Sequence, residues 1–218
     1  MSSDNINKLH EELRYLGFGD SPLLRDQLEQ ELDKGQKSFQ LYTESFFSEN
    51  CKLEVILYFN HAVQQGIYLF NRYDALLRYI DEPDRVRSQT FYIYNGTGIT
   101  FKEAFNLLQG RAVHKQLSDI EGNKYSAWIQ LNFEQKDLNN NYKVRQFRNE
   151  YELEKILEKY PIKEWKHDQL RKSLVRSLEK GNLHVVTFER KNKEEKKVIE
   201  ANPQYKSINI YTINYGFK

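Results

Sequence analysis

The stretch that decides the fold is SQTFYIYNGTGITFKEAFNLLQGRAVHK, Ser88–Lys115. Its first part, Gln89–Tyr94, is rich in residues that favour β-structure, and this composition predicts a strand. Asn95-Gly96-Thr97-Gly98 follows and predicts a tight turn, because glycine takes positive φ angles without steric cost. A strand and a turn are therefore expected to lead into the next segment.

That segment carries helix signals at both ends. Thr100 and Glu103 have the spacing of a capping box, in which each side chain bonds a backbone N–H at the helix start. Gly110 stands where a left-handed helix end is expected, and a basic segment begins at Arg111. Four apolar residues between these signals recur at helical spacing, namely Phe101, Ala104, Phe105 and Leu108.

A strand, two glycines and a helix in this order also suggest a phosphate site, since exposed N–H groups at a helix start attract anions. The stretch lacks the glycine pattern of a P-loop and that of a dinucleotide-binding turn. In addition, the Glu103 carboxylate competes for the same N–H groups and repels an anion. A plain tight turn is the favoured interpretation.

Composition is typical of a globular protein of one large or two small domains, with 218 residues, 29% charged and 39% hydrophobic. No run approaches the ~20 apolar residues of a membrane helix, and the first residues lack an apolar signal core. We therefore expect a cytoplasmic protein without membrane contact. Cys51 is the single cysteine, which excludes an intramolecular disulfide.

Charge is distributed unevenly along the chain. Residues 1–100 hold 10 Lys and Arg against 15 Asp and Glu, a net charge of −5. Residues 101–218 hold 23 against 16, a net charge of +7. A basic half favours a polyanionic partner, although a lobe of mixed charge is also common in soluble proteins.

The first half predicts two helices and then three strands. The charged, proline-containing segment Asp81–Arg87 predicts a boundary between an N-terminal α+β lobe, 1–85, and a C-terminal α+β lobe, 86–218. The helices are Asn5–Leu16 and one that starts with Ser21 as its cap and Pro22 as its first residue, and the strands are Phe39–Phe47, Leu53–Asn60 and Ile67–Tyr73.

Beyond the central helix, the pattern predicts a hairpin, two more helices and three closing strands. The second of these helices is expected to be capped by Asp168. The hairpin strands are Tyr125–Phe133 and Tyr142–Phe147, the helices run from Leu153 to Tyr160 and from Asp168 to Leu178, and the last strands are Leu183–Glu189, Lys197–Ala201 and Ser207–Thr212.

Two segments echo each other, LRDQLEQELDKG (24–35) and LRKSLVRSLEKG (170–181). Each follows a helix and precedes three predicted strands, which suggests a helix–helix–three-strand unit used twice, at 6–73 and 151–213. The alternative is two ordinary amphipathic helices, since leucine and glycine recur for generic reasons. The predicted fold class is α+β, with mostly antiparallel sheets, helices on one side and two related lobes.

Six segments together resemble a known family. They are FNRYDALL, SQTFYIYNGTGITFKEAFNLLQGRAVHK, AWIQLNF, YPIKEW, SLEKGNLHVVTF and IEANPQYKSINIY. They resemble an uncharacterised bacterial domain family, a domain of unknown function common on conjugative and other mobile elements of gut-associated Gram-negative anaerobes. Related segments of that family also occur in longer proteins, some alongside a type IA topoisomerase-like region. The resemblance covers most of the chain and is strongest from Phe70 onward. It implies a setting in DNA mobility, and no catalytic residue is carried over from the family.

Catalytic motifs are absent from the sequence. The five histidines are scattered, and no paired-ligand spacing, nucleophile elbow or cysteine-protease signature occurs. We therefore predict a protein that is not an enzyme and that has no cofactor and no metal. A site assembled by the fold from distant residues would overturn this prediction.

Nucleic-acid binding would need cations for phosphates and aromatic faces for bases. The lysines at 191–197 form one possible basic cluster, but Glu194 and Glu195 in the same segment lower its net positive charge. The alternative is that the aromatic residues Tyr142 and Phe147 face the core and that the neighbouring cations are merely solvated. The candidate residues are Arg111, Lys115, Lys143, Arg145 and Arg148.

A protein-interaction module explains the same features without chemistry. Aromatic strands and sheet edges provide surfaces for a partner, and the candidate contact residues are Tyr68, Tyr73, Tyr92 and Tyr205. The alternative is that these tyrosines pack in the core, as aromatic residues of sheets more often do. An inhibitor or immunity-like factor is a third class, which nothing in the sequence selects. We predict a non-enzymatic binding or accessory protein of a mobile element whose partner is an unknown protein, with DNA or RNA as the alternative.

Overall fold

The computed structural model describes residues 3–19, 21–94, 96–148, 151–190 and 193–213. Within these ranges five α-helices accompany three antiparallel sheets, so the predicted α+β class is confirmed. The helices are α1 (Ser3–Tyr15), α2 (Pro22–Asp33), α3 (Phe101–Leu108), α4 (Leu153–Leu157) and α5 (Asp168–Glu179). The strands are β1 (Ser38–Ser48), β2 (Cys51–Ala62), β3 (Ile67–Tyr79), β4 (Val86–Tyr92), β5 (Val113–Ser118), β6 (Lys124–Lys136), β7 (Tyr142–Phe147), β8 (His184–Arg190), β9 (Lys193–Asn202) and β10 (Ser207–Thr212). Asn95 of the predicted turn and Lys191 of the predicted lysine cluster lie outside the described residues.

The chain divides into two compact units. Unit 1 is Met1–Leu108 with Leu138–Asn141, and unit 2 is Gln109–Asp137 with Tyr142–Lys218. The boundary predicted after residue 85 instead falls inside one sheet, because β4 is hydrogen-bonded to β3 from Arg72↔Tyr92 to Arg78↔Val86. The charged, proline-containing segment Asp81–Arg87 therefore lies within unit 1, where it leads from β3 into β4.

Unit 1 is a four-stranded antiparallel meander with strand order β1-β2-β3-β4. Along β2, the fully buried Leu53, Val55, Leu57 and Phe59 alternate with more exposed residues, as the period of two in a strand requires. The helices pack on this sheet, with α1 against β3, α2 against β1, and α3 against β3 and β4. The core of the unit therefore lies between the helices and one face of the sheet.

The central stretch forms β4 and α3 as expected. The Thr100 N–H donates to Glu103 Oε2 at 2.9 Å and the Glu103 N–H donates to Thr100 Oγ1 at 3.3 Å, so the capping box is confirmed. The buried Tyr73 hydroxyl donates to the Ile99 carbonyl at 2.6 Å and ties the helix start to β3. The segment after the helix differs from the prediction, because much of it is the strand β5, paired with β6.

Unit 2 contains two three-stranded sheets, ordered β5-β6-β7 and β10-β9-β8. Trp128 of β6 shares one core with Leu157 and Leu174 of the helices and with Val186 of β8. The Tyr151 hydroxyl donates to the Ser207 carbonyl at 2.8 Å within the same unit. Burial raises the pKa of Tyr151 above its ordinary value.

Each unit contains two helices followed by an antiparallel meander in sequential order. In both, the first helix packs on the third strand and the second helix packs on the first strand. Gly35 and Gly181 follow the second helices with φ angles of +64° and +74°, the left-handed region expected at a helix end. The duplication at 6–73 and 151–213 stays a prediction, since a common element order does not establish a common origin.

The helix starts differ in detail from the predicted caps. Ser21 occupies the cap position of α2, but its side chain makes no capping hydrogen bond. Asp168 is the first residue of α5 rather than its cap, and His167 occupies the cap position. The helix predicted from Leu153 to Tyr160 is shorter in the structure, because α4 ends at Leu157. A separate 3₁₀ turn forms further along the chain, at Lys163–Lys166.

Candidate interaction surface

One face of the unit 1 sheet exposes apolar side chains. On β1 the buried Phe39 and Leu41 alternate with exposed residues, and the exposed fractions reach 51% at Tyr42 and 61% at Phe46. Tyr92 at the end of β4 is 48% exposed. We call this side of the sheet the open face. It includes Gln40, Tyr42, Glu44, Phe46, Lys52, Glu54, Ile56, Tyr58, Arg72, Asp74, Leu76, Arg78, Val86, Ser88, Thr90 and Tyr92.

The strand register places the open-face residues in rows across the sheet. Tyr42 of β1 pairs with Ile56 of β2, so an aromatic ring and an aliphatic side chain lie next to each other. Arg72 of β3 pairs with Tyr58 on one side and with Tyr92 on the other. These rows place aromatic rings beside Ile56 and Arg72 on one face of the sheet.

The first polar network on the open face is built around Glu54. Lys52 Nζ lies 2.8 Å from Glu54 Oε1 and 3.1 Å from Glu44 Oε2, and Arg78 Nε donates to Glu54 Oε2 at 3.0 Å. Burial disfavours the charged carboxylate, but the hydrogen bonds from Lys52 and Arg78 outweigh this effect and lower the pKa of Glu54. The network therefore remains ionised at neutral pH, and its charges largely cancel.

The second network is centred on Asp74. Tyr58 Oη donates to Asp74 Oδ2 at 2.6 Å, and Thr90 Oγ1 donates to Asp74 Oδ1 at 2.7 Å. The hydrogen bond to Asp74 and partial burial raise the pKa of Tyr58. The Arg72 guanidinium stacks over the Tyr58 ring at 4.4 Å. Both networks hold the polar side chains by hydrogen bonds. The aromatic rings of Tyr42, Phe46 and Tyr92 remain exposed, although the Tyr42 hydroxyl donates to the Glu44 carboxylate.

The edges of the unit 1 sheet differ in their protection. On β4, the Thr90 N–H donates to Asn141 Oδ1 at 2.7 Å. Where β3 extends beyond β4, the buried Asn5 side chain donates to the Tyr68 carbonyl at 3.0 Å and accepts from the Tyr68 N–H at 2.8 Å. The side chains of Asn5 and Asn141 thus occupy backbone groups that would otherwise lie at an open edge.

Two of the predicted nucleic-acid-binding residues are held by unit 2 itself. Arg111 Nε donates to the Gly181 carbonyl at 2.8 Å, just beyond the end of α5. Arg145 donates to Asn132 Oδ1 at 2.8 Å and lies 3.6 Å from Glu134 Oε2. These guanidinium groups stabilise local structure before any ligand is present.

The other three predicted cations are divided between faces of the β5–β7 sheet. Arg148 stacks over the Tyr125 ring at 3.8 Å, on the face that the pairing register assigns to Lys115. Lys143 is exposed and lies with Arg145 on the opposite face, two residues along β7. The structure therefore does not bring the five predicted residues to one surface.

The four tyrosines predicted as partner contacts also separate. Tyr68 and Tyr73 are buried, and the Tyr68 hydroxyl donates to the Gln36 carbonyl at 2.6 Å. Tyr92 and Tyr205 are exposed. For Tyr68 and Tyr73 the contact prediction was wrong, because alternation along a strand assigns them to the core face, which the sequence alone does not identify.

The turn before α3 does not favour an anion. A Cβ added at Gly96 would lie 3.1 Å from Glu12 Oε1, so a carboxylate occupies the space beside the turn. Burial raises the pKa of Glu12, which indicates that a second negative charge there would be costly. Together with the Glu103 cap, this supports the plain turn over a phosphate site.

Two histidine side chains lie close to a carboxylate, the simplest arrangement from which a catalytic or metal centre could be built. His10 Nε2 lies 3.2 Å from Glu29 Oε1 beside a groove of about 350 Å³ lined by Arg14 and Arg25 among others. His114 Nδ1 lies 3.5 Å from Glu179 Oε1 in unit 2. In the part of the chain that the structure describes, no group of three His, Cys, Asp or Glu residues could hold a metal ion.

Two kinds of surface residue escaped the sequence reasoning. Tyr42 and Phe46 follow the alternation of Phe39 and Leu41, so period-two analysis of β1 could have separated them from the core. Lys172 and Arg176 are exposed on α5, one turn apart, while Leu174 and Leu178 are buried. Helical spacing would have identified this pair of cations.

No family model, no curated protein and no solved structure matches this chain. The resemblance to the mobile-element domain family therefore stays a prediction. None of the described helices is long and apolar enough to cross a membrane.

Proposed function

We propose that this protein is a non-enzymatic binding protein whose open face captures a partner protein. The observation that carries the proposal is the exposure of Tyr42, Phe46 and Tyr92 on one side of a four-stranded sheet. Aromatic residues are enriched in protein interfaces, where a few of them carry most of the binding free energy. The hydrogen-bonded polar networks between them supply groups that can also bond to a partner.

Charge favours a protein over a nucleic acid on this face. The three carboxylates among the aromatic residues, those of Glu44, Glu54 and Asp74, are matched by the same number of cations, so this face has no net positive charge to attract a phosphate backbone. Unit 1 as a whole holds 11 Lys and Arg against 16 Asp and Glu, a net charge of −5. An aromatic sheet that binds single strands needs a positive surface to follow the backbone, which this face lacks.

The biological setting that we propose is an accessory role on a mobile genetic element in the cytoplasm. This setting rests on the resemblance of segments such as FNRYDALL and YPIKEW to the domain family described above. Co-occurrence with a topoisomerase-like region in that family supports a setting in DNA mobility and assigns no reaction to this chain.

The test is affinity purification of the full chain from its native host after nuclease treatment, with two matched variants. One variant replaces the open-face residues Tyr42, Phe46 and Tyr92 by Ser. The control replaces three exposed tyrosines elsewhere, which are Tyr15, Tyr94 and Tyr205. We expect the open-face variant to lose partners that the control retains, at least tenfold by quantitative mass spectrometry. Equal recovery by both variants contradicts the proposal.

A second candidate function is nucleic-acid binding by unit 2. This unit holds 22 Lys and Arg against 15 Asp and Glu, a net charge of +7, and exposes Lys172 and Arg176 on α5. Cations one turn apart on a helix can contact neighbouring phosphates. The predicted residues Arg111 and Arg145 are engaged within the unit, so the exposed pair on α5 is the better first contact.

Fluorescence anisotropy with a labelled 20-nucleotide single strand and its duplex tests this candidate. We expect Lys172→Glu with Arg176→Glu to weaken binding more than tenfold and to reduce its salt dependence. The control, Arg14→Glu with Lys37→Glu, changes two exposed cations of unit 1. Arg145→Gln with Arg148→Gln should have a smaller effect. Absence of binding to both oligonucleotides at 50 mM salt excludes the candidate.

A further inference from the structure

Building on the partner binding proposed above, we propose that β1 is a strand-addition site. An extended, basic segment of a partner protein would pair with β1 as a fifth strand of the unit 1 sheet. The open face then supplies contacts for every second side chain of the incoming strand.

The backbone of β1 has one neighbour. β1 is an edge strand of eleven residues and pairs with β2 from Ser38↔Asn60 to Ser48↔Cys51. Over all the described ranges, no backbone or side-chain group outside β2 forms a hydrogen bond with the β1 backbone. Its outer N–H and C=O groups are therefore available to another strand.

The edges of β3, β4 and β8 are capped by side chains or by loop backbone. Asn141 bonds the edge of β4 and Asn5 bonds the part of β3 that extends beyond β4. On β8, the Glu189 N–H donates to the Pro161 carbonyl at 2.8 Å, and the Thr187 N–H donates to the Glu164 carboxylate at 2.9 Å. The remaining edge strands, β5, β7 and β10, have six residues each, so β1 is the longest edge and lacks such a cap.

The sequence of β1 also lacks the usual protection of an edge strand. Natural edges are blunted by lysine, proline or a bulge in mid-strand. Ser38–Ser48 contains no Lys, Arg or Pro, and its register with β2 is regular until the shift between Phe46 and Ser48. Residues 38–46 thus offer nine consecutive positions for pairing. On the core side, the half-buried Thr43 and Ser45 leave room for small side chains of an added strand.

Charge identifies the occupant. Glu44 lies on β1, and α2, which packs on β1, carries four carboxylates against one arginine. Because unit 1 has a net charge of −5, an incoming strand with lysine or arginine is attracted. A second copy pairing through its own β1 would bring two acidic α2 helices together, which disfavours self-association. A nucleic acid is repelled and cannot continue the backbone ladder.

Hydrogen exchange of the full chain tests the mode of binding, with synthetic nonapeptides as probes. The first probe alternates Val and Lys, the second alternates Val and Glu, and the third is the Val–Lys peptide with a central proline. We expect the Val–Lys peptide to slow at least tenfold the exchange of those amides within residues 38–46 whose N–H points away from β2. The Val–Glu peptide should bind at least tenfold more weakly, and the proline peptide should give no protection.

Two variants sharpen the test. Thr43→Lys places a charge on the core side of the edge strand and should abolish protection, whereas Val144→Lys makes the same kind of change on β7 and should leave it intact. The proline peptide keeps the test decisive even where Thr43→Lys fails to fold.

Three outcomes overturn strand addition. One is peptide binding that perturbs Tyr42 and Phe46 while the β1 amides stay unprotected, which would keep the open face as a binding surface and thus preserve the proposed function. Another is concentration-dependent protection of β1 without peptide, which would make a second copy the occupant. The third is the absence of protection by all three peptides, whatever the affinity purification shows for the open face.

Discussion

The meander of unit 1 begins with an open edge strand, β1, whereas the meander of unit 2 begins with a covered one, β8. Both strands follow a helix pair and a left-handed glycine, and both lie under the second helix of their unit. On β8 the segment between the helices covers the edge through Pro161, Ile162 and Glu164. In unit 1 the described part of the corresponding segment makes no hydrogen bond with β1.

The length of the helix connection accounts for this difference. In unit 1 the connection between α1 and α2 is residues 16–21, and in unit 2 the connection between α4 and α5 is residues 158–167. Four additional residues give about 13 Å more reach at ~3.3 Å per residue. The longer connection can form a 3₁₀ turn and lie along the first strand. A change of connection length therefore alters edge protection while the element order stays the same.

The largest expected effects test whether the two helix pairs pack alike. Leu28 of α2 and Leu174 of α5 occupy equivalent positions of the two echoed segments, and both are fully buried. Leu28→Ala and Leu174→Ala should each lower the free energy of unfolding by about 2–5 kcal/mol in denaturant titration. A loss below about 1 kcal/mol at only one of them would break the comparison.

Substitution of the first leucine of each echoed segment, Leu24 or Leu170, should change the free energy of unfolding by different amounts. Leu24 is 4% exposed, but Leu170 is 49% exposed. We expect Leu24→Ala to cost about 2–3 kcal/mol and Leu170→Ala less than about 0.5 kcal/mol, since the latter removes little buried surface. Equal costs would show that the two helices bury the same face.

Removal of an edge cap in unit 1 is the next effect in size. Asn5→Ala leaves the Tyr68 N–H and carbonyl without their side-chain partners in a buried position, and it should cost about 2 kcal/mol. Asn7→Ala on the exposed side of α1 is the matched control. Urea denaturation measures both, and equal stability of the two variants would show that the Asn5 cap contributes nothing.

Removal of the β8 cap sharpens the comparison of the two first strands. Glu164→Ala should cost about 1–2 kcal/mol and speed hydrogen exchange at the Thr187 amide, because that N–H loses its carboxylate acceptor. Glu164→Gln should lose less stability, since the side-chain amide oxygen can still accept the hydrogen bond from the Thr187 N–H. Glu158→Ala changes an exposed glutamate of the same segment and serves as the control. An unchanged Thr187 exchange rate would mean that the edge is covered by Pro161 and Ile162 alone.

The smallest expected effect is on how the stability of unit 2 depends on pH. Burial lowers the pKa of the half-buried His184 at the start of β8, and nearby Glu164 opposes this only in part. An unfolded histidine takes up its proton near pH 6.5. The folded state takes it up at lower pH, so the contribution of His184 to stability is present above about pH 6.5 and is lost as the pH falls through the folded pKa. His184→Gln should flatten the decrease in Tm between pH 7 and pH 5, and an unaltered pH dependence would contradict this assignment.

Local patterns predicted much of the fold. The capping box, the glycine helix ends and the strands β1, β2, β6, β7 and β10 follow from spacing and turn residues within a few positions. Such signals act between neighbours in sequence, so one sequence suffices to find them. The β5 strand was missed. Its six residues show no clear alternation of apolar and polar side chains, and its pairing with β6 cannot be read from neighbouring residues.

The candidate surface required more than local pattern. Alternation showed that Ile56 and Tyr58 share a face of β2, but it could not show which face the helices cover. The five predicted cations lie in two separate segments of the sequence. The pairing register places Lys115 and Arg148 on one face of the β5–β7 sheet and Lys143 and Arg145 on the other. Arg111 was already bonded to Gly181, a residue 70 positions away in the chain.

The sequence by itself determined the element types, the helix ends and the uneven distribution of charge, because each depends on residues close together in the chain. The tertiary structure decided which sheet face is exposed, which edges are capped and which cations are engaged. These properties depend on pairing and packing between residues that are distant in sequence, as when Asn5 caps Tyr68 and no described residue caps β1.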